Sequence, residues 1–321
     1  MLRAVQVMVF LGRMSFFVAA FLSILFAVAL IYATLDVPMI INGWLLGAFP
    51  DYWMLGSEAA KTLEALRPIG YVAFIVTLVL IILGFAVKNR WLGTLGSIAL
   101  YLPTFGYFAF TMFFLAGIGV LRVLWLPLLD LSPNVLRLGE IVYLPCMLFG
   151  FLLIPASCVI MVFGLILFTL SVFTWLYSKF KGLEIINFWL YKYSRHPQYL
   201  GFLVWSYGLM LLTSYVGAPR GGYIPPPSFP WLISALTIVG TALQEEQTMI
   251  KRHGDKYKKY MEKTPFMLPL PKKLSTIIAA PAKMVTKENW PENRKQTFAV
   301  LLTYFCILVL LSLPLQYVIK L

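Results

Sequence analysis

Long uncharged apolar runs alternate with short polar segments along nearly the whole chain, a pattern that predicts helices crossing a membrane. Runs of about 18 residues are long enough to cross ~30 Å of hydrocarbon. In lipid the backbone must satisfy its own hydrogen bonds, and at this run length that favours helices over barrel strands. Spans are expected at about 14–35, 69–87, 91–121, 199–216, 229–244 and 297–319. The first is longer than a signal-peptide core and lacks a small-x-small cleavage site, so it counts as a span. Pro103 interrupts the third, which is long enough to tilt or kink. The stretch 141–178 would reach ~57 Å as one helix, nearly twice the hydrocarbon thickness. A break near Pro155 is therefore expected to fold it into a hairpin of two short spans, with a single tilted helix as the alternative. The resulting fold class is all-α, a polytopic transmembrane helical bundle of about eight spans, or seven if that stretch is undivided.

Between the spans, Ser57 to Leu66 reads as a short amphipathic helix at the interface, capped by Ser57, carrying the i,i+3 pair Glu58 and Lys61 and stopped before Pro68. Gly201 and Gly208 fall on one face of their span, where a neighbouring helix can approach closely. The loop 217–230, with Pro225-Pro226-Pro227 and Arg220 as its one charge, reads as a non-cytoplasmic connection.

Composition agrees: 60% of residues are hydrophobic and 12% charged, against about 25% charged in soluble domains. The net charge of +13 is unevenly placed, because residues 251–321 alone hold 13 Lys/Arg against 4 Asp/Glu. Positive-inside placement of this basic tail beside anionic membrane lipids accounts for it, and no nucleic-acid motif is present. The tail is thus expected in the cytoplasm, and an outward hairpin of the two preceding spans puts the connector 179–198 there too, in agreement with Lys179, Lys181, Lys192 and Arg195. Charge does not settle the amino-terminal half, where Arg3, Arg13, Lys88 and Arg90 balance Lys61, Arg67, Arg122 and Arg137. Cys146, Cys158 and Cys306 sit in apolar runs and read as small buried hydrophobes, not metal ligands or disulfide partners.

Two polar clusters stand out. One runs from Tyr191 through Arg195-His196-Pro197-Gln198-Tyr199 to Gly201; the other is Gln244-Glu245-Glu246. They are expected to meet in one site facing the cytoplasm. Pro197 suits the first turn of a helix, whose positive end, with Arg195 and His196 beside it, would attract an anion; the alternative is that both side chains snorkel to headgroups. Glu245 and Glu246 diverge by ~100° around a helix and need not share a task. His253 follows on nearly the face of Glu246, and Tyr257 and Tyr260 are i,i+3 neighbours; the alternative is an ordinary amphipathic helix leaving the membrane.

Arg195-His196-Pro197-Gln198-Tyr199-Leu200-Gly201, a spanning hairpin, Glu245-Glu246, then Gly254 with Tyr257, Tyr260 and a proline-rich end at Pro265 and Pro269 together resemble the integral-membrane methyltransferases. These include the isoprenylcysteine carboxyl methyltransferases and phospholipid N-methyltransferases. The resemblance covers about 141–271. It implies that S-adenosylmethionine sits in a pocket closed by the carboxy-terminal segment and that a lipophilic acceptor enters from the bilayer. Carried over by position, it implies cofactor-binding roles for Tyr191, Arg195, His196, Pro197, Tyr199, Leu200, Glu246, His253 and Tyr257, and catalytic roles for Glu245 and Glu246. A sulfonium methyl is already activated, so the protein mainly aligns the acceptor and excludes water, and neither a nucleophilic triad nor a metal is required.

Two departures from the family pattern matter, the first for the loop before Tyr191 and the second for the acceptor. Trp189-Leu190 stands where the family often has Gly-Pro. Thr241 stands where the isoprenylcysteine enzymes carry an arginine, which removes the partner a buried prenylcysteine carboxylate would need. Residues 1–140 form an amino-terminal transmembrane addition, 272–296 a basic interfacial linker, and 297–321 a terminal span without a part in the site. The competing readings are a sterol-reductase-like oxidoreductase using NADPH, and a non-enzymatic transporter or assembly factor on the same scaffold.

Overall fold

The computed structural model describes residues 14–33, 137–144, 152–215, 228–286 and 290–318, with scattered positions between 36 and 83. The spans expected at 69–87 and 91–121, the helix at 57–66, the loop at 217–230 and Cys146 lie wholly or largely outside the described residues. Among those residues the chain is all helix and turn, without a strand. The helices are α1 (Met14–Ala33), α2 (Leu153–Phe180), α3 (Pro197–Tyr215), α4 (Ser228–His253), α5 (Asp255–Lys263), α6 (Lys272–Thr286) and α7 (Arg294–Val318). Helices α1, α2 and residues Arg294–Leu315 of α7 are each long and apolar enough to cross a membrane. Apolar side chains such as Val159, Phe163 and Ile166 stay exposed on α2, as expected of a helix that faces lipid.

The expected hairpin at Pro155 does not form. Glu140–Tyr143 is a 3₁₀ turn, and Leu153 opens a continuous 28-residue helix. Pro155 is the third residue of that helix, where a backbone N–H has no intrahelical partner to lose. At ~42 Å α2 is longer than the hydrocarbon is thick, and Lys179 and Lys181 carry its end toward water. Cys158 and Cys306 are exposed on the surfaces of α2 and α7 rather than buried.

Glycine brings α2 and α3 together. A Cβ on Gly164 would collide with the backbone of Trp205, one on Gly201 with the backbone of Phe168, and one on Gly208 with that of Met161. From Met161 through Gly164 to Phe168 along α2 the partners run backwards along α3, from Gly208 through Trp205 to Gly201, so the two helices are antiparallel at backbone contact. Beside them lies the core of Tyr143, Leu153, Trp205, Leu209, Met210 and Leu211. α1 packs on the outer side of α2 through Ala19 against Val172 and Leu176. α4 runs antiparallel to α3, with Trp231 Nε1 donating to Ser206 Oγ at 3.1 Å, and α7 returns along α4 with Leu301 against Gly240.

This alternation sorts the bundle into two polar ends. At one, Arg137 and the fully buried Glu140 pair at 2.8 Å, the Ile141 N–H donates to Ser312 Oγ, Tyr207 donates to the Val142 carbonyl, and Gly139 packs on Ser228. The turn before α2 thereby knits α3, α4 and α7 together. The other end holds both polar clusters.

Candidate functional site

Pro197 opens α3, with Arg195 and His196 in the two positions before it. Across from them α4 does not stop at its glutamates but runs on to His253, where Gly254, at φ 52°, turns the chain into α5. A left-handed backbone conformation of this kind favours glycine. The turn folds α5 and the segment 264–271 back over the start of α3.

Arg195 is the hub. Its Nε and Nη2 donate to the two carboxylate oxygens of Glu246 at 2.5 and 3.1 Å, and Nη1 donates to the carbonyls of Met261 and Thr264 at 2.9 and 2.6 Å. Its own backbone N–H donates to the Pro265 carbonyl. The guanidinium lies 5.1 Å from the Trp290 ring centroid and 5.8 Å from that of Phe266. A planar guanidinium suits this combination of bidentate pairing and aromatic contact, which a lysine would not reproduce. The anion expected near Arg195 is thus a side chain of the protein itself.

His196 bridges the two glutamates, with Nε2 at 3.0 Å from Glu246 and Nδ1 at 3.9 Å from Glu245. Tyr199 donates to Glu245 at 2.6 Å, and its ring stacks on His196. Adjacent in sequence, the two carboxylates part company around the helix. Glu246 is fully buried, whereas Glu245 is 53% exposed and faces a cavity of about 500 Å³. Tyr191, Arg195, His196, Tyr199, Glu245, His253 and Tyr257 all line that cavity. Glu246, expected at the reacting centre, is instead sealed beneath it, because Arg195 and His196 occupy its oxygens. Pro197 and Leu200 are likewise not among the lining residues; their contribution is to start α3.

The sequence reading passed over several participants. Lys179 from the end of α2, Glu184 from the connector and Arg252 from α4 also line the cavity, and His253 lies 3.6 Å from Glu184. Trp290, just before α7, covers Arg195, while Gln247 donates to the Pro291 carbonyl and to Thr297 at the start of α7. The final helix is therefore built into the site's support, contrary to the expectation that it has no part there. No local motif marks Trp290; only folding brings it within reach of Arg195.

Tyr260 donates to the Tyr191 carbonyl at 2.6 Å, fastening α5 over the cavity. Burial, with smaller contributions from neighbouring tyrosines and carboxylates, pushes the Tyr191 and Tyr257 phenols well above their ordinary pKa; burial does the same to Tyr260. All three remain neutral hydrogen-bond donors at physiological pH. Among the described residues no group of His, Cys, Asp and Glu is arranged to hold a metal ion.

Helices fit to cross a membrane and a polar cavity at one end of their bundle define this as a helical membrane protein. Residues 156–264, from the first turn of α2 to Thr264 in the Arg195 clamp, match a family described as a protein of unknown function, DUF1295. That family is associated with steroid 5α-reductase-like membrane proteins, and no methyltransferase family matches. No curated protein and no solved structure matches the chain.

Proposed function

We infer that the cavity binds S-adenosylmethionine and that the protein transfers its methyl group to a lipophilic acceptor drawn from the bilayer. The observation that carries this reading is the division of labour between adjacent carboxylates: Glu246 is paired with Arg195, while Glu245, held by Tyr199, stays half-exposed at the cavity. A fixed carboxylate at a partly desolvated site favours a cationic ligand centre, and a sulfonium is one. Lys179 and Arg252 among the lining residues offer counter-charges to an amino-acid carboxylate. The volume suits a ligand of this size, and the neutral phenols of Tyr191 and Tyr257 supply donors for its polar atoms. When bound, the cofactor supplies an electrophilic methyl group. The chain's own residues hold the ligand, orient it and exclude water, while exposed apolar helix faces around the bundle give a lipid-soluble acceptor its approach.

A second reading has its own support. The matched family is associated with steroid 5α-reductase-like proteins, and Lys179 and Arg252 would equally suit the phosphates of NADPH.

Thermal unfolding of the detergent-solubilised protein separates the two. S-adenosylmethionine and S-adenosylhomocysteine should raise the midpoint, with NADPH inactive; stabilisation by NADPH alone overturns the methyltransferase reading in favour of the reductase. Glu245→Gln should weaken S-adenosylmethionine by roughly fivefold, as expected for a charge interaction of about 1 kcal/mol at a half-exposed site. It should leave the uncharged thioether product little affected. Equal loss for both ligands would remove Glu245 from contact with the sulfonium.

A further inference from the structure

Beyond the cavity, the least ordinary surface of the molecule is that of α6. At helical spacing Leu274, Ile277, Ile278 and Met284 fall within one arc of about 120°, and all four are exposed, Ile277 at 67% and Met284 at 84%. The adjoining side carries Ala279, Ala282 and Thr286, which are half-buried or buried, and within the arc itself Pro281 and Val285 are half-buried. Four large exposed apolar side chains on a single helix are unusual for a water-facing surface. Lys273 stands beside this arc and Lys283 on the far side of the helix from it, both exposed.

The position of α6 along α7 indicates what covers this face. The Ile278 carbonyl accepts a hydrogen bond from Tyr304. Tyr304 lies ten residues past Arg294 on α7, or about 15 Å along the axis at 1.5 Å per residue, and helical side chains lean back toward the amino terminus. The middle of α6 thus sits alongside the apolar run of α7, below the level of Arg294 and Lys295. A helix whose apolar face lies 5–10 Å into the headgroup and acyl boundary, with Lys273 at the edge of that face and Lys283 turned to the aqueous side, has this geometry.

We propose that α6 is an in-plane membrane helix whose Leu274, Ile277, Ile278 and Met284 face enters the acyl boundary of an anionic leaflet, with Lys273 and Lys283 on its lipid phosphates. The charge argument is local as well as regional, since residues 251–296 hold 12 Lys/Arg against 4 Asp/Glu. The seat has a consequence for the site. Only the segment 264–271 separates α6 from α5, and the carbonyls of Thr264 and Pro265 in that segment hold Arg195. The lipid surface thereby fixes one end of the strap that closes the Arg195 clamp.

The test uses the full chain with Cys146, Cys158 and Cys306 replaced by serine and Ile277→Cys carrying an environment-sensitive fluorophore. The protein is reconstituted in phosphatidylcholine vesicles with or without phosphatidylglycerol. Acyl-chain-brominated lipid should quench the label strongly, and aqueous iodide should quench it severalfold less than a label at Lys258→Cys, which projects into water from α5. Lys273→Glu with Lys283→Glu should cut the lipid quenching at least twofold in anionic vesicles and little in neutral ones. Iodide access equal to that at position 258 overturns the proposal, as does lipid quenching indifferent to both phosphatidylglycerol and charge reversal. Protection that instead grows with protein density would show that a second copy covers the face, and also overturns it. No cofactor is read in this measurement, so its failure is distinct from failure of the methyltransferase reading.

Discussion

Arg195 and Glu246, 51 residues apart in sequence, share a buried bidentate ion pair at 2.5 and 3.1 Å that joins the start of α3 to the interior of α4. Each partner is 5% exposed or less, and the arginine's remaining donors hold the carbonyls that fold α5 back. Removing one partner of such a pair strands an uncompensated charge, at a cost of about 3–5 kcal/mol. Arg195→Met and Glu246→Met should each lower the unfolding midpoint in detergent by that equivalent. The double variant should be more stable than the sum of the two losses predicts, because it leaves no unpaired charge. Strict additivity in this cycle would mean that the two side chains are not coupled.

Backbone contact between α2 and α3 leads to a second prediction. Gly164 has no room for a single methyl, and what blocks it is the Trp205 backbone, not a side chain able to swing away. Gly164→Ala should therefore destabilise the protein by about 1–3 kcal/mol through forced separation of the helices. This runs against the usual preference for alanine over glycine in a helix. An unchanged or raised unfolding midpoint would contradict the packing.

Trp189 holds a φ of 48°, left-handed backbone that favours glycine, and it occupies the place where the resembled family often has Gly-Pro. Its indole stacks on Phe173 and Tyr177, at 5.5 and 5.6 Å between centroids, which offsets the strain. Trp189→Ala loses the stack and keeps the strain, whereas Trp189→Gly loses the stack and relieves it. The alanine variant should be the less stable of the two by about 1 kcal/mol. The reverse order in chemical denaturation would count against the strained conformation.

Tyr191, Tyr257 and Tyr260 supply a pH prediction. Burial raises their folded-state pKa above the ordinary phenol value of 10.0. The folded protein then keeps protons that the unfolded chain gives up, so stability is intact below pH 10.0 and declines as pH rises beyond it. Followed by phenolate absorbance, these tyrosines should titrate only together with alkaline unfolding. Each Tyr→Phe variant should reduce the decline, and tyrosines that all ionise near their ordinary value with the fold intact would exclude this burial.

Some of this arrangement was legible from residue order. Apolar run length marked α1, α3 and α7, Pro197 marked the start of α3, and Gly201 and Gly208 marked a close helix contact. Gly164 carries no such mark, because it is the one glycine of α2 and has no second glycine spaced onto its face. Pro155 does not reveal the continuity of α2, because a proline in a first turn and a proline in a break look alike along a chain.

What the sequence determined by itself is the class of molecule and the whereabouts of its two polar clusters, because hydrophobic run length and the scarcity of charge act locally, residue by residue. Which glutamate is buried and which faces the cavity was decided only by tertiary structure. Glu245 and Glu246 are chemically identical neighbours, and what distinguishes them is that Arg195, brought from 51 residues away, pairs with Glu246 and seals it, while Glu245, held by Tyr199, keeps 53% of its side chain exposed.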